Sequence, residues 1–229
     1  MDATSTIIRM CEPLLCCDTV WEAAYLRFET PADERQKFHN RLRRLGAQHW
    51  SRDSQAVEIF CGRGNGLCAL AEMGFTSLEG VDLSERLLQQ YQGDATLYVA
   101  DCRQLPFPDA SRDIVIVQGG LHHLPRLPED LEAVLGEVRR ILRPGGRFVI
   151  VEPWMTPFLR AIHFLSRQGL VQRCWSKIEA LHTMIDRERA TYFAWLGIPE
   201  IILQALDRNF HFERRHVSFG KIEYVGIRM

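Results

Sequence analysis

The chain has 229 residues, 46% of them hydrophobic, and a formal net charge of −1. That length holds one α/β domain with an added cap and a full core. A charge near zero gives no sign of a nucleic-acid partner, and no apolar run approaches the ~20 residues that span a bilayer.

The N-terminal Leu14-Leu15 pair is interrupted by Glu12 and Asp18, so no signal-peptide core forms and a cytoplasmic location is expected. Cysteines stand at 11, 16, 17, 61, 68, 102 and 174 without a C-x-x-C pair. This odd count reads as reduced thiols, with no metal site.

Residues 1–50 read as helical. Trp21, Tyr25 and Phe28 form a stripe that either faces the core or covers a ligand. Thr30-Pro31-Ala32-Asp33 supplies an N-cap, a first-turn proline and a capping acid. Phe38, Leu42 and Leu45 follow at helical spacing, and Gly46 ends the helix. Arg41, Arg43 and Arg44 read as its solvated face.

A strand over 57–60 runs into Gly62-x-Gly64-x-Gly66 and then a helix from Leu67. A second strand over 78–81 is followed by a helix opened by Ser84 and ended by Gly93. Strands over 96–100 and 113–117 come next. Pro128 opens a helix whose Leu131, Val134, Leu135, Val138, Ile141 and Leu142 share one face. Pro144-Gly145-Gly146 ends it before a strand over 147–151. Apolar strands alternating with helices imply a parallel sheet covered on both faces. Residues 153–210 read as a helical cap carrying many aromatics, most of them expected to hold the cap on the sheet. The strands 212–217 and 221–227 form a hairpin around Phe219-Gly220.

Glycines after a strand let backbone approach a ligand closely. Leu67 stands where a dinucleotide fold needs its third glycine, and no Gly-Lys-Ser/Thr follows. Glu58, just ahead of the loop, would repel a pyrophosphate and attract a cation. S-adenosylmethionine carries a sulfonium and an ammonium and no phosphate, so it fits where NAD does not. Glu58 suits the ammonium, Asp82 the ribose hydroxyls and Asp101 the adenine amino group. All fall at strand carboxyl ends, where such sheets bind ligands.

The stretch from about Val57 to Glu152 resembles the class I S-adenosylmethionine-dependent methyltransferases, specifically the type 11 small-molecule group. The resemblance is carried by the glycine loop, Gly80-Val81-Asp82-Leu83-Ser84, Ala100-Asp101-Cys102, Leu105-Pro106-Phe107-Pro108-Asp109, Leu121-His122-His123-Leu124 and Ile141 to Arg147. It implies one methyltransferase domain over 1–229, with an N-terminal helical segment (1–50) and a helical cap (153–210). The implied fold is Rossmann-like: a seven-stranded, mostly parallel sheet closed by a C-terminal antiparallel hairpin.

The resemblance adds Phe60, Cys61, Gly62, Gly64, Leu83, Cys102, Gln118 and Gly119 to the cofactor set, with S-adenosylhomocysteine as product. Gln118-Gly119-Gly120 would run beside the methionine. The family's usual glycine is replaced by Phe60, so the loop is expected to repack.

A hydroxyl acceptor needs a base, and histidine suits that role near pH 7. His122 is expected to face the pocket and His123 to be structural, with Glu152 as a rival base. The expected reaction is methyl transfer to a small-molecule hydroxyl. N- or C-methylation and a non-catalytic S-adenosylmethionine-binding partner are the alternatives. Oligomeric state is not legible.

Overall fold

The structure is a computed structural model that describes residues 6–12, 19–169, 173 and 175–229. Leu14, Leu15, Cys16, Cys17 and Cys174 lie outside the described residues.

The central strands are apolar on both sides, as a sheet covered twice requires. In β5 (Arg112–Gln118), Val115 and Val117 join one buried core while Ile114 and Ile116 join the other. β2 (Ala56–Ile59) is buried at all four positions, including Glu58. The remaining strands are β1 (Ile7–Arg9), β3 (Leu78–Asp82), β4 (Thr96–Val99), β6 (Leu142–Pro153), β7 (His211–Ser218) and β8 (Lys221–Ile227). Their order is β1-β4-β3-β2-β5-β6-β8-β7, parallel except where β8 pairs with β6 and β7.

The chain moves outward from β2 to β4 and returns to β5 beside β2. That reversal leaves a crevice beyond the carboxyl ends of β2 and β5. Phe60 and Gln118 flank it.

Among the described residues the sheet has eight strands, one more than expected. Ile7, Ile8 and Arg9 pair with Leu97, Tyr98 and Val99 and occupy the otherwise open edge of β4. Two adjacent β-branched residues suit such an edge strand. Two boundaries also differ from the sequence reading. The helix after β3 is only Glu85–Leu88, and β6 starts at Leu142, absorbing residues 143–146 at a register shift opposite Arg112.

Helix α1 (Thr19–Phe28) leads to α2 (Pro31–Arg44), where the Thr30 hydroxyl accepts from the Asp33 N–H at 3.2 Å. Gly46, at φ +96°, makes the turn out of α2. Helix α3 (Asn65–Glu72) follows β2, α4 is Glu85–Leu88, and α5 (Glu129–Ile141) buries the apolar face named above. The cap consists of α6 (Pro157–Ser166), α7 (Ser176–Arg187), α8 (Arg189–Gly197) and α9 (Pro199–Asn209). Helix α1 packs on α7, so the N-terminal segment and the cap meet.

Candidate active site

The loop after β2 is built on left-handed backbone: Phe60 at φ +56°, Gly62 at +53° and Gly64 at +71°. A phenylalanine there is strained, by about 1–2 kcal/mol. Its ring fits because Gly120 opposite has no side chain; a Cβ there would collide with it. Phe60 lines the central cavity. Gly66 is fixed by contact, since a Cβ there would strike the Glu58 carboxyl.

Glu58 is buried at the amino end of α3. Its Oε1 accepts from Gln118 Nε2 at 3.2 Å, while its buried Oε2 makes no hydrogen bond among the described residues. Burial pushes its carboxyl up to about 8; the Gln118 bond opposes this only in part. Gln118 also accepts from Arg41 Nη1 at 3.1 Å. Arg41 is therefore buried, not part of a solvated face as its neighbours suggested. Glu34 lies beside this group, accepting from Asn65 Nδ2 at 2.5 Å and from the Tyr25 hydroxyl.

Asp82 ends β3 and lines the cavity with Leu83. Its Oδ2 accepts from the Gly62 N–H and its Oδ1 from the Ser84 N–H, both at 2.8 Å. It thus ties the glycine loop to the second strand end. Burial raises its pKa, and these two bonds offset part of the rise. Asp101 and Cys102 also line the cavity. Arg103 holds Asp101 through Nε at 3.0 and 3.1 Å and Nη2 at 2.6 Å, which keeps this carboxyl below its usual range. Gly119 completes the wall at φ +81°.

The histidine pair sits on a 3₁₀ turn, Leu121–His123, where successive side chains point about 120° apart. His122 turns inward. Its Nδ1 lies 2.7 Å from Glu152 Oε2, and Glu152 Oε1 accepts from the Gly120 and Leu121 N–H groups at 2.7 and 2.8 Å. Burial disfavours the imidazolium, but Glu152 and then Glu188 outweigh it and push His122 up to about 9. His122 is thus protonated near neutral pH, and Glu152 is fully engaged as its partner. His123 turns outward into the cavity wall. The expected orientations of the two rings are reversed.

Glu188, between α7 and α8, reaches this pair from the cap. Its Oε2 is 3.0 Å from His123 Nδ1 and 3.6 Å from His122 Nε2; its Oε1 accepts from Trp21 Nε1 at 2.9 Å. The imidazoles hold its carboxyl well below the usual range despite burial. Among the described residues, His122, His123 and Glu188 bring ligand-type atoms within 4.8 Å of one another. We read them as an ion-pair network, because the His122 proton already supplies the positive charge that Glu152 and Glu188 require.

These elements enclose a cavity of about 720 Å³, within the usual range for small-molecule sites. Trp21 and Tyr25, stacked with ring centroids 5.1 Å apart, line it, and with Phe28 they also pack on Ala24, Ala180 and Met184. The stripe on α1 therefore serves both readings. The cap contributes Arg187, Glu188, Ala190 and Thr191 to the lining but none of its aromatics. Trp154, Tyr192 and Trp195 are core, while Phe158, Phe164 and Trp175 face solvent.

The residues fit S-adenosylmethionine. Glu58, Asp82 and Asp101 all line the cavity, and the buried Glu58 Oε2 makes no hydrogen bond among the described residues, so acceptors are at hand for an ammonium and for hydroxyls. Sequence reasoning missed Glu34, Arg41 and Glu188. Arg41 hides in a basic run, and Glu188 has no local motif to mark it.

Residues 57–150 match the family described as a methyltransferase domain, type 11. The chain is 32% identical over 110 residues to the 27-O-demethylrifamycin SV methyltransferase of Amycolatopsis mediterranei, covering 44% of this chain and 39% of that protein. It is 32% identical over 139 residues to a demethylmenaquinone methyltransferase of Geobacillus kaustophilus, covering 55% of this chain and 56% of that one. The matches thus span about half or less of these curated relatives. The crystal structure of the PH0226 protein from Pyrococcus horikoshii superimposes with a TM-score of 0.65 at 20% identity, over 90% of this chain and 98% of that one, which shows the shared fold. The match over residues 57–150 and the shared fold support reading this part of the chain as a class I S-adenosylmethionine-dependent methyltransferase domain similar to the type 11 family.

Proposed function

We propose that the protein methylates a hydroxyl of a small molecule from S-adenosylmethionine, with His123 as the base and Glu188 as its positioning partner. The observation that carries this reading is the His123–Glu188 pair in the cavity wall, 3.0 Å apart. The relative named for a 27-O position supports an oxygen acceptor.

S-adenosylmethionine supplies an electrophilic methyl group on a sulfonium. Glu58 and Gln118 would hold its amino-acid end, Asp82 and Leu83 the ribose, and Asp101 and Cys102 would flank the adenine. Phe60, Cys61, Gly62, Gly64 and Gly119 shape the surface against which it lies. His123 takes the proton of the acceptor hydroxyl on the nitrogen not facing Glu188. The Glu188 carboxylate then stabilises the imidazolium, as an acid orients histidine in catalytic triads. The cavity aligns the acceptor and excludes water. His122 stays protonated and anchors the turn through Glu152.

A second reading is carried by the demethylmenaquinone methyltransferase relative. On an aromatic acceptor the same base would take a ring-hydroxyl proton and leave carbon as the nucleophile. Calorimetry with S-adenosylmethionine and NAD, followed by S-adenosylhomocysteine release on a panel of phenols, alcohols and amines, tests the proposal. We expect S-adenosylmethionine binding and turnover on hydroxyl compounds. NAD binding without S-adenosylmethionine binding would overturn it, and turnover confined to amines would remove the base.

A further inference from the structure

Helix α6 seats Leu159 on the core but leaves two aromatic rings on its solvent side. Its buried residues are His163 and Ser166, both satisfied: His163 Nε2 lies 3.1 Å from the Tyr192 hydroxyl, and Ser166 Oγ donates to the His163 carbonyl at 3.0 Å. Its solvent side carries Phe158 at 49% exposure and Phe164 at 66%. An amphipathic helix on a free surface puts its apolar stripe toward the core.

The tip of the β7–β8 hairpin joins this face. Phe219 is 79% exposed and meets Phe158 edge-on, with ring centroids 5.7 Å apart. Phe219 and Gly220 have φ +46° and +77°, a left-handed turn that favours Asn-Gly. A phenylalanine there is strained, and its exposed ring returns almost no burial in the isolated chain. Trp175, before α7, is 63% exposed.

Charge says what this face meets. Residues 154–178 contain Arg160, Arg167, Arg173 and Lys177 and no aspartate or glutamate, in a chain whose net charge is −1. All four cations are exposed. Exposed aromatics among unneutralised cations are the composition of an interfacial membrane helix.

We propose that α6 and the hairpin tip dock on the surface of an anionic lipid bilayer, with Phe158, Phe164 and Phe219 entering the headgroup boundary. The attachment is peripheral, since no helix among the described residues is long and apolar enough to cross a membrane. It rests on this face alone and not on the acceptor.

The test is flotation of the purified chain with vesicles of phosphatidylcholine, with and without phosphatidylglycerol, at low and high salt. We expect binding to the phosphatidylglycerol vesicles that weakens with salt. Each of Arg160→Gln and Arg167→Gln should weaken it roughly fivefold. Phe219→Asn should weaken it by at least about fivefold, while thermal stability stays equal or rises because asparagine suits the turn. Equal S-adenosylmethionine binding by all variants, measured by calorimetry, shows that the site and fold are intact. No vesicle binding by the wild-type chain, or unchanged binding by Phe219→Asn, overturns the proposal. So does a solution dimer that Phe219→Asn dissolves without any vesicle binding, which assigns the face to a second copy.

Discussion

Glu188 Oε2 lies 3.0 Å from His123 Nδ1, although Glu188 belongs to the cap and His123 to the turn after β5. No local pattern joins them; the cap has to fold over the sheet before the pair exists. On our reading His123→Ala should lower turnover by roughly 10²–10⁴ with little change in S-adenosylmethionine affinity. Glu188→Gln should lower kcat by a smaller factor, because the imidazolium loses its carboxylate partner. Wild-type turnover in His123→Ala, measured on a true acceptor, removes the base assignment.

The buried His122–Glu152 pair should govern stability at alkaline pH. The folded pKa of His122, about 9, lies above the ordinary imidazole value of 6.5. The folded state therefore holds an extra proton between these values. Its contribution is complete below pH 6.5 and is lost as pH rises through 9, on the order of 3 kcal/mol across the window. Replacing Glu152 with Ala should cost about 3–5 kcal/mol, since it leaves an unpaired buried charge. Urea denaturation at pH 6 and pH 9 measures both effects. A wild-type stability that is flat between those values contradicts the pairing.

Glu58 also holds an extra proton in the folded state, but through burial rather than pairing. Its folded pKa of about 8 exceeds the ordinary carboxyl value of 4.5, so between these values the native state holds a proton that the unfolded chain has lost. Stability from this group is complete below pH 4.5 and declines until about pH 8. Glu58→Gln should remove that penalty and stabilise the unliganded protein at pH 7 by on the order of 3 kcal/mol. The same change should weaken S-adenosylmethionine binding and abolish any gain in affinity between pH 7 and 9. Calorimetry across that range decides it; equal affinity in both proteins would place the ammonium elsewhere.

Phe60→Gly tests a balance of two terms. Relief of the left-handed strain returns about 1–2 kcal/mol. Loss of a half-buried aromatic costs more, part of the about 3–5 kcal/mol typical of a fully buried ring. We expect a net loss of about 1–2 kcal/mol by chemical denaturation, with S-adenosylmethionine binding retained. A stable variant that fails to bind would make the ring itself a ligand.

The sequence carried the sheet and the glycine loop well because both are local. Apolar runs, positive-φ glycines and acids at strand ends announce themselves within a few residues, and the eight-stranded sheet differs only by the short edge strand Ile7–Arg9. The histidines were harder. Two adjacent histidines look alike in a sequence, and only the 3₁₀ turn determines which ring enters the core. Arg41 was hidden by Arg43 and Arg44, since a basic run looks solvated whichever member turns inward. Glu188 was illegible for a different reason: its partners, Trp21 and His123, come from two distant elements that meet only in three dimensions.

Trp21 and His123 share a single carboxylate, one on each oxygen of Glu188. The roof latch and the orienter of the imidazole are therefore one part. Displacing α1 would break the tryptophan bond and leave Glu188 held from the histidine side alone. On the reading above, the seating of α1 and the orientation of the imidazole are therefore coupled through one side chain.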